Sequence, residues 1–425
     1  MNINKIHNLF LECNVACTDT RKITPNSLFF ALKGDNFNGN TYAKKALELG
    51  AKYAIVDEEE YATSKNIILV KDTLQTLQEL ATYHRSVLNI PIIALTGSNG
   101  KTTTKELIHI VLSKKYNAVA TKGNLNNHIG VPLTLLTMDS NTEIGIVEMG
   151  ANHLKEIELL CNIAKPDFGY ITNFGKAHLE GFGGVEGVIK GKSEMYEYLI
   201  SKNKSIFINT KDPIQVKKTK QANTIDFGEE KNNFACVKFT EAKPFVASEF
   251  NNTQIKSQLI GNYNFNNIAA AITIGKYFKI DTLSIKNAIE TFVPKNNRSQ
   301  IIKKATNKII LDAYNANPSS MQAALNNFEK LDKNKLVFLG DMFELGKEAH
   351  KEHQTIVNLI NELKINEAIF IGEHFFKCDI KSNNTKKYKS FNSFKEDYNF
   401  SKIEHTNILI KGSRGMALER ILDNL

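Results

Sequence analysis

A chain of 425 residues is longer than one ordinary hydrophobic core organises, so two or three domains are expected. Its 42% hydrophobic and 23% charged residues exclude the disordered and fibrous classes. The net charge of +9 is spread as single lysines among asparagines and isoleucines, with no arginine-rich stripe, so no nucleic-acid partner is expected.

The opening "MNINKIHNLFLECNVACTDTRK" has neither the long apolar core nor the small-residue cleavage site of a signal peptide. No apolar run approaches the roughly 18 residues that span a bilayer, so no membrane partner and a cytoplasmic location are expected. Cys13, Cys17, Cys161, Cys236 and Cys378 are scattered, and no second Cys or His pair completes a zinc set with Cys13 and Cys17. Buried thiols are expected.

Up to about Leu88, the short apolar runs "SLFFALKG" and "AKYAIVD" enclose a helix-like "NTYAKKALELGA", which describes a small α/β unit. Pro91 then precedes the apolar strand of "LNIPIIALTG", the entry into a second domain. The strands in "TEIGIVEMG", "PDFGYITNFG" and "KSIFINTKD" have continuous hydrophobic runs suited to a sheet covered on both faces. Helical segments such as "VPLTLLTM" and "VEGVIKGKSEMYEYL" alternate with them, which predicts a mainly parallel sheet. The polar stretch from about Phe227 to Ile260 predicts short antiparallel strands, and "GNYNFNNIAAAITIGKYF" a closely packed helix.

After "FVPKNNRSQ" the alternation restarts with "KIILDAYNANPSS", "SMQAALNNFEKL", "KLVFLGDMFELG", "HQTIVNLINELK", "EAIFIG" and "TNILIKGSRG", and "MALERILDNL" reads as a closing helix. The expected fold is therefore α/β in three domains, 1–88, 89–296 and 297–425, the last doubly wound and Rossmann-like.

The stretch with most chemistry is "IIALTGSNGKTTTKELI", residues 92–108. Gly100, Lys101 and Thr102 fit the end of the phosphate-loop pattern G-x-x-x-x-G-K-[ST], but its leading glycine position holds Leu95, and the extra glycine is Gly97. The physics survives the mismatch. Strand, glycine turn and helix would aim free N–H groups and a positive dipole end at a phosphate. Lys101 would neutralise the β and γ oxygens, and the Thr102 hydroxyl would reach Mg²⁺. Glu148 closes an apolar strand at the end where open α/β sheets bind ligands, His178 follows another strand end, and Lys192 lies in a helical segment. Taken singly, these three have ordinary alternatives: a surface carboxylate, a loop histidine and a solvated lysine. The residues alone lead to a magnesium–nucleotide enzyme.

"TGSNGKTTT" resembles the nucleotide loop of the Mur ligases, the ATP-dependent amino-acid and peptide ligases of bacterial cell-wall synthesis. Further blocks resemble the family in its order: "TDTRKITPNSLFFALKGDNFNGNTYAKKALELGAKYAIVD", "GNLNNHIGVPLTLL", "VEMGANHLKEI", "ITNFGKAHLEGFG", "GNYNFNNIAAA", "LDAYNANPSSM", "LGDMFELG" and "KGSRGMALE". They cover almost the full chain. Within the family, "DAYNANPSSM" and "GANH" resemble the branch that joins D-Ala-D-Ala to a UDP-N-acetylmuramoyl-tripeptide. The sister branch, which adds a single diamino acid to the dipeptide precursor, usually has a D-D-Y-A-H-type sequence in place of the first, and its DNPR-like motif is absent here. That sister activity, and a silent nucleotide-binding scaffold, are the alternatives.

The resemblance implies roles. Gly97, Ser98, Asn99, Gly100, Lys101, Thr102 and Thr103 would hold the ATP phosphates, and Thr102, Glu148, His178 and Lys192 would surround Mg²⁺, two ions in all. Lys101, Glu148, His178 and Lys192 would be the catalytic set. Lys192 matches the lysine that the family carbamylates with CO₂, which converts a cation beside the metal into an anion. Asn264 and Asn267 fall where the family meets the adenine end, and Arg298 and Asp312 where the third domain reaches back to the nucleotide. The first domain would be UDP-binding through Thr18, Asp19, Thr20, Arg21, Lys33 and Gly34, and Asn315, Asn317, Lys411 and Arg414 would contact substrate from the third. Two positions depart from the pattern: Tyr263 stands where histidine is common, and Asn297 where glycine precedes the arginine. A monomer is expected.

Overall fold

The computed structural model describes residues 2–295, 297–332 and 334–425. Its first sheet is wholly parallel: Val15–Cys17, Ser27–Phe30, Ala51–Val56 and Ile67–Leu69, in chain order. Two helices unmarked in the sequence flank it, Ile3–Leu11 and Thr73–Leu88. The second hides because threonines and glutamines interrupt its apolar stripe, Leu77, Leu80 and Ala81. Asp72 caps its start through Gln75 N, and Asn89 ends it at φ 48°.

The far end of that helix is bonded into the next unit. Arg85, almost fully buried, meets Asp167 at 2.7 Å and donates to the carbonyls of Ala164 and Lys165. His84 Nε2 lies 2.8 Å from the Met138 carbonyl, and its Nδ1 3.0 Å from His7 Nε2. Burial pushes both histidines below their ordinary pKa, and each favours the neutral form.

The central sheet has nine strands, in spatial order Thr253–Ile260, Phe245–Phe250, Ala235–Ala242, Asn223–Gly228, Ser205–Asn209, Phe168–Ile171, Ile92–Thr96, Ile144–Glu148 and Ala118–Ala120. The first three pair antiparallel and the rest parallel, as the polar and apolar stretches predict. Ile92–Thr96 lies between strands that come later in the chain, so the connections leave it in opposite directions. That is the switch point at which open α/β sheets form a crevice. Leu95 pairs with Glu148 and Thr96 with Ile171, so three strand ends emerge side by side. On one face the helices Lys101–Leu112 and Asn264–Tyr277 pack through fully buried Leu107, Ile108, Val111, Ile268 and Ile272. Each such side chain contributes about 1.5–3 kcal/mol by leaving water.

The third sheet has the order Gln300–Lys304, Asn307–Asp312, Thr406–Lys411, Asn334–Gly340, Glu367–Ile371 and Thr385–Tyr388, parallel except for the first pair. The expected closing helix is absent. Residues 414–424 form two 3₁₀ segments, Arg414–Met416 and Leu418–Asn424, broken where Ala417 takes φ 46°. Leu418 and Ile421 are buried three apart, which a three-residue turn serves. The strand Thr385–Tyr388 and helix Phe391–Asp397 also escape the sequence, since lysines dilute their apolar pattern.

Candidate active site

The phosphate turn follows the strand Ile92–Thr96. Gly97 takes φ 139° and Gly100 φ 81°, and a Cβ at these positions would lie 2.0 Å from Thr172 Oγ1 and 2.7 Å from Asn267 Oδ1. Only glycine fits either place, which explains why the glycine is at 97 while Leu95 remains a buried strand residue. The neighbouring strand end grips the turn from outside. Ser98 N donates to the Asn173 carbonyl, Ser98 Oγ to the Gly175 carbonyl at 2.8 Å, and Thr172 Oγ1 to the Asn99 carbonyl at 2.6 Å. The helix Lys101–Leu112 begins at Gly100 without a side-chain cap, so its first-turn N–H groups face the turn.

Lys101 Nζ donates to the Gly97 carbonyl at 2.6 Å. Burial lowers its pKa; Glu148 opposes that shift and Arg298 adds to it. Glu148 is 2% exposed. Its Oε1 accepts from Asn126 Nδ2 at 2.9 Å, while Oε2 is buried with no partner. A buried carboxylate oxygen without a donor is costly unless a cation completes it. Among the described residues no three His, Cys, Asp or Glu gather into a metal cage. A cation here would therefore take few protein ligands and phosphate oxygens for the rest, as Mg²⁺ commonly does. Glu148 and Thr102, buried at the helix start, fit that role.

A cavity of about 1140 Å³ runs from this turn to the third sheet. Ser98 to Thr103, Glu148, His178, Asn264, Asn267, Arg298, Asp312, Asn315, Asn317 and Lys411 all line it. Lys101, Glu148 and His178 thus share one space. Asn264 and Asn267 are largely committed to structure: Asn267 donates to Asn264 Oδ1 and accepts from Thr104 Oγ1, which braces the turn from behind. Across the cavity, Lys411 meets Asp312 at 2.5 Å, a pairing set by their register in adjacent strands. The Arg298 guanidinium lies 3.7 Å from the centre of the Tyr314 ring, and Tyr263, the residue in the histidine position, shares a hydrogen bond with Ser299. Burial pushes the Tyr263 hydroxyl well above its ordinary pKa.

Several contacts close the third domain on the second, among them three between polar side chains. Asn317, which caps the helix Pro318–Phe328, donates to Asn99 Oδ1 at 2.7 Å. Lys176 reaches Glu352 at 2.6 Å, and His178 Nδ1 lies 2.5 Å from Glu344 Oε2.

Not every expected residue meets the cavity. Lys192 is wholly buried below it, donating to the Ala151 carbonyl at 2.9 Å. Burial, with Lys101 nearby, holds its pKa well below the usual lysine value, which favours the neutral amine. Arg414 is outside, paired with Glu419 at 2.7 Å. None of the set Thr18, Asp19, Thr20, Arg21, Lys33 and Gly34 lines the cavity: the first four follow the edge strand Val15–Cys17, and Lys33 and Gly34 pair with Phe37–Asn38 in a separate two-stranded ribbon. Asp19, held at about 2 by Arg21, caps a 3₁₀ turn, and Lys33 pairs with Asp57 at 3.0 Å. Asn124, Asn126 and Asn127 line the cavity without having been singled out. Their signal was the asparagine-rich block that follows the strand Ala118–Ala120.

Three family models match consecutive parts of the chain: "Mur ligase family, catalytic domain" at 14–85, "Mur ligase middle domain" at 95–275 and "Mur ligase, glutamate ligase domain" at 297–413. The UDP-N-acetylmuramoyl-tripeptide–D-alanyl-D-alanine ligase of Bacillus subtilis is 36% identical over 96% of this chain and 92% of its own; that of Escherichia coli is 30% identical over 97% and 93%. Among solved structures, MurF from Acinetobacter baumannii superposes with a TM-score of 0.86 at 26% identity, covering 100% of this chain and 98% of that one. MurF ligase from Thermotoga maritima in complex with ADP gives 0.84 at 25%, covering 98% and 97%. Identity at this level, sustained from the first sheet to the last, goes beyond a shared fold: the chain belongs to the Mur ligase family.

Proposed function

We propose that the chain is an ATP-dependent, ADP-forming ligase that joins D-Ala-D-Ala to UDP-N-acetylmuramoyl-tripeptide in peptidoglycan precursor synthesis. The observation that carries this reading is the shared cavity: the phosphate turn, Glu148 and His178 open into one space that the third domain roofs. Its supports are the relatives of that name at 30–36% identity.

A carboxylate is a poor electrophile, so one of its oxygens first attacks the γ-phosphorus of ATP and ADP leaves. The amine of D-Ala-D-Ala then attacks the acyl carbon, loses a proton, and the tetrahedral intermediate expels phosphate. In both steps negative charge grows between the reacting groups, where preorganised donors are most effective. Lys101 and the first-turn N–H groups take up that charge, and Asn315, Asn317 and Lys411 face it from the third domain. Glu148, Thr102 and His178 would hold divalent cation, which supplies charge neutralisation on the phosphates. Lys192 in its neutral form is the nucleophilic state that adds CO₂ and releases a proton, and the carbamate so formed would supply an anionic oxygen ligand in place of a cation. Residues 1–88 would bind the UDP end, 89–296 the ATP and 297–425 the incoming dipeptide. A monomer in the cytoplasm completes the proposal; no helix among the described residues is long and apolar enough to cross a membrane.

Two offers of substrate test it. With the tripeptide precursor and D-Ala-D-Ala, ADP release should depend on both. Comparable turnover with the dipeptide precursor and a free diamino acid would move the chain to the sister activity, and nucleotide binding without any ADP release would leave a scaffold.

A further inference from the structure

The block "LGDMFELG" has no part in the chemistry above, yet it is a tightly built loop. Asp341, 3% exposed, accepts from His374 N and Phe375 N, both at 3.0 Å, and its carbonyl accepts from Ser413 N. Met342 N donates to His353 Nε2 at 3.0 Å and Phe343 N to Ser413 Oγ at 2.9 Å. Gly372 makes room for the Asp341 carboxylate, since a Cβ there would lie 2.3 Å from its Cγ. The loop then presents Glu344 at φ 62°, a conformation that non-glycine residues rarely adopt.

Glu344 reaches across the domain boundary at two points. Its carbonyl accepts from Glu180 N at 3.2 Å, and its carboxylate lies 2.5 Å from His178 Nδ1, off the axis of a hydrogen bond. With Nδ1 facing Glu344, Nε2 is the ring nitrogen left for the cavity that His178 lines.

We infer that Glu344 is a positioning residue. Its carboxylate backs His178 and orients Nε2 toward the cation that accompanies ATP, so cation affinity rises as the third domain closes. This rests on the proposed role of His178 at that cation. Imidazole is a weak partner for a hard cation. A carboxylate behind the ring fixes its tautomer and raises its donor strength, so the weaker the match, the more the support matters. Closure itself does not hang on this carboxylate, because Asn317–Asn99 and Lys176–Glu352 span the same boundary.

Mn²⁺, which accepts nitrogen ligands more readily than Mg²⁺, is the probe, titrated against the full chain with ADP and followed by electron paramagnetic resonance. Glu344→Ala and His178→Ala should each weaken Mn²⁺ by about tenfold or more. The double variant should lose no more than His178→Ala alone. Glu344→Gln, which keeps the loop's shape and part of the acceptor, should lose less than Glu344→Ala, with unliganded melting temperatures unchanged. If His178→Ala weakens Mn²⁺ but Glu344→Ala and Glu344→Gln bind it normally, the inference fails while the reading of His178 stands. Losses that add in the double variant also overturn it. Normal affinity in His178→Ala removes the reading beneath it.

Discussion

The two sheet edges that face each other across the cavity differ in kind. The central edge is unfinished: left-handed glycines, uncapped N–H groups, a lysine bonded only to a backbone carbonyl and a buried carboxylate oxygen with no partner. The third-domain edge is complete in itself, with Lys411 neutralised by Asp312, Asn317 capping its helix and Arg298 lying on Tyr314. The edge with unmet polar demand is where phosphates would be held, and the edge that has met its own can arrive as a roof and leave again.

The contrast can be broken most sharply at Lys101. Lys101→Ala should lower ADP release by about 10²- to 10³-fold, the scale of removing a preorganised donor from developing charge. Near-normal turnover would mean that the central edge is not where the phosphoryl group is held. Lys192→Ala should also be inactive, and a short-chain carboxylic acid should restore part of the activity. Full activity without the acid would show that no carbamate is needed.

On the opposite edge the expected loss is in stability. Asp312→Ala leaves the buried Lys411 charge unpaired and should cost about 3 kcal/mol in urea unfolding. An unchanged midpoint would mean that the pair was not neutralising that edge. Asn317→Ala removes a helix cap and one bridge to the phosphate turn, and should cost about 1 kcal/mol. Its ATP affinity should change less than that of Lys101→Ala, and the reverse order would invert the comparison.

The smallest effect lies far from both edges. Burial of His7 and His84 lowers their folded pKa below the unfolded 6.5, so both states are neutral above that value. As pH falls through 6.5, the unfolded chain takes up protons that the folded chain resists, and stability falls. Melting temperature should therefore drop from pH 7.5 to 5.5, and less so in His84→Gln. An equal drop in the variant would assign the acid sensitivity elsewhere.

The central edge was legible in the sequence because it is local: strand, turn and helix follow one another between Ile92 and Leu112. Glu148 was legible as a strand end, and the register with Leu95 places it beside the turn. Three-dimensional partners were not. Nothing in the chain announces that Asn126 meets Glu148, that Asn267 braces Gly100, or that Glu344 meets His178, since each joins segments 22 to 167 residues apart. The helix Thr73–Leu88 escaped for another reason, its apolar face being narrow and interrupted by polar residues.

That helix has a consequence of its own. It packs with the first sheet, yet Arg85 and His84 bond its far end to the nucleotide domain. If the first domain holds the uridine end, as proposed, that end and the phosphate turn are a fixed distance apart, like the two ends of a gauge. A stem peptide shorter by one extended residue would deliver its carboxyl group about 3.5 Å short of the γ-phosphorus. Selection by stem length would then follow from that spacing.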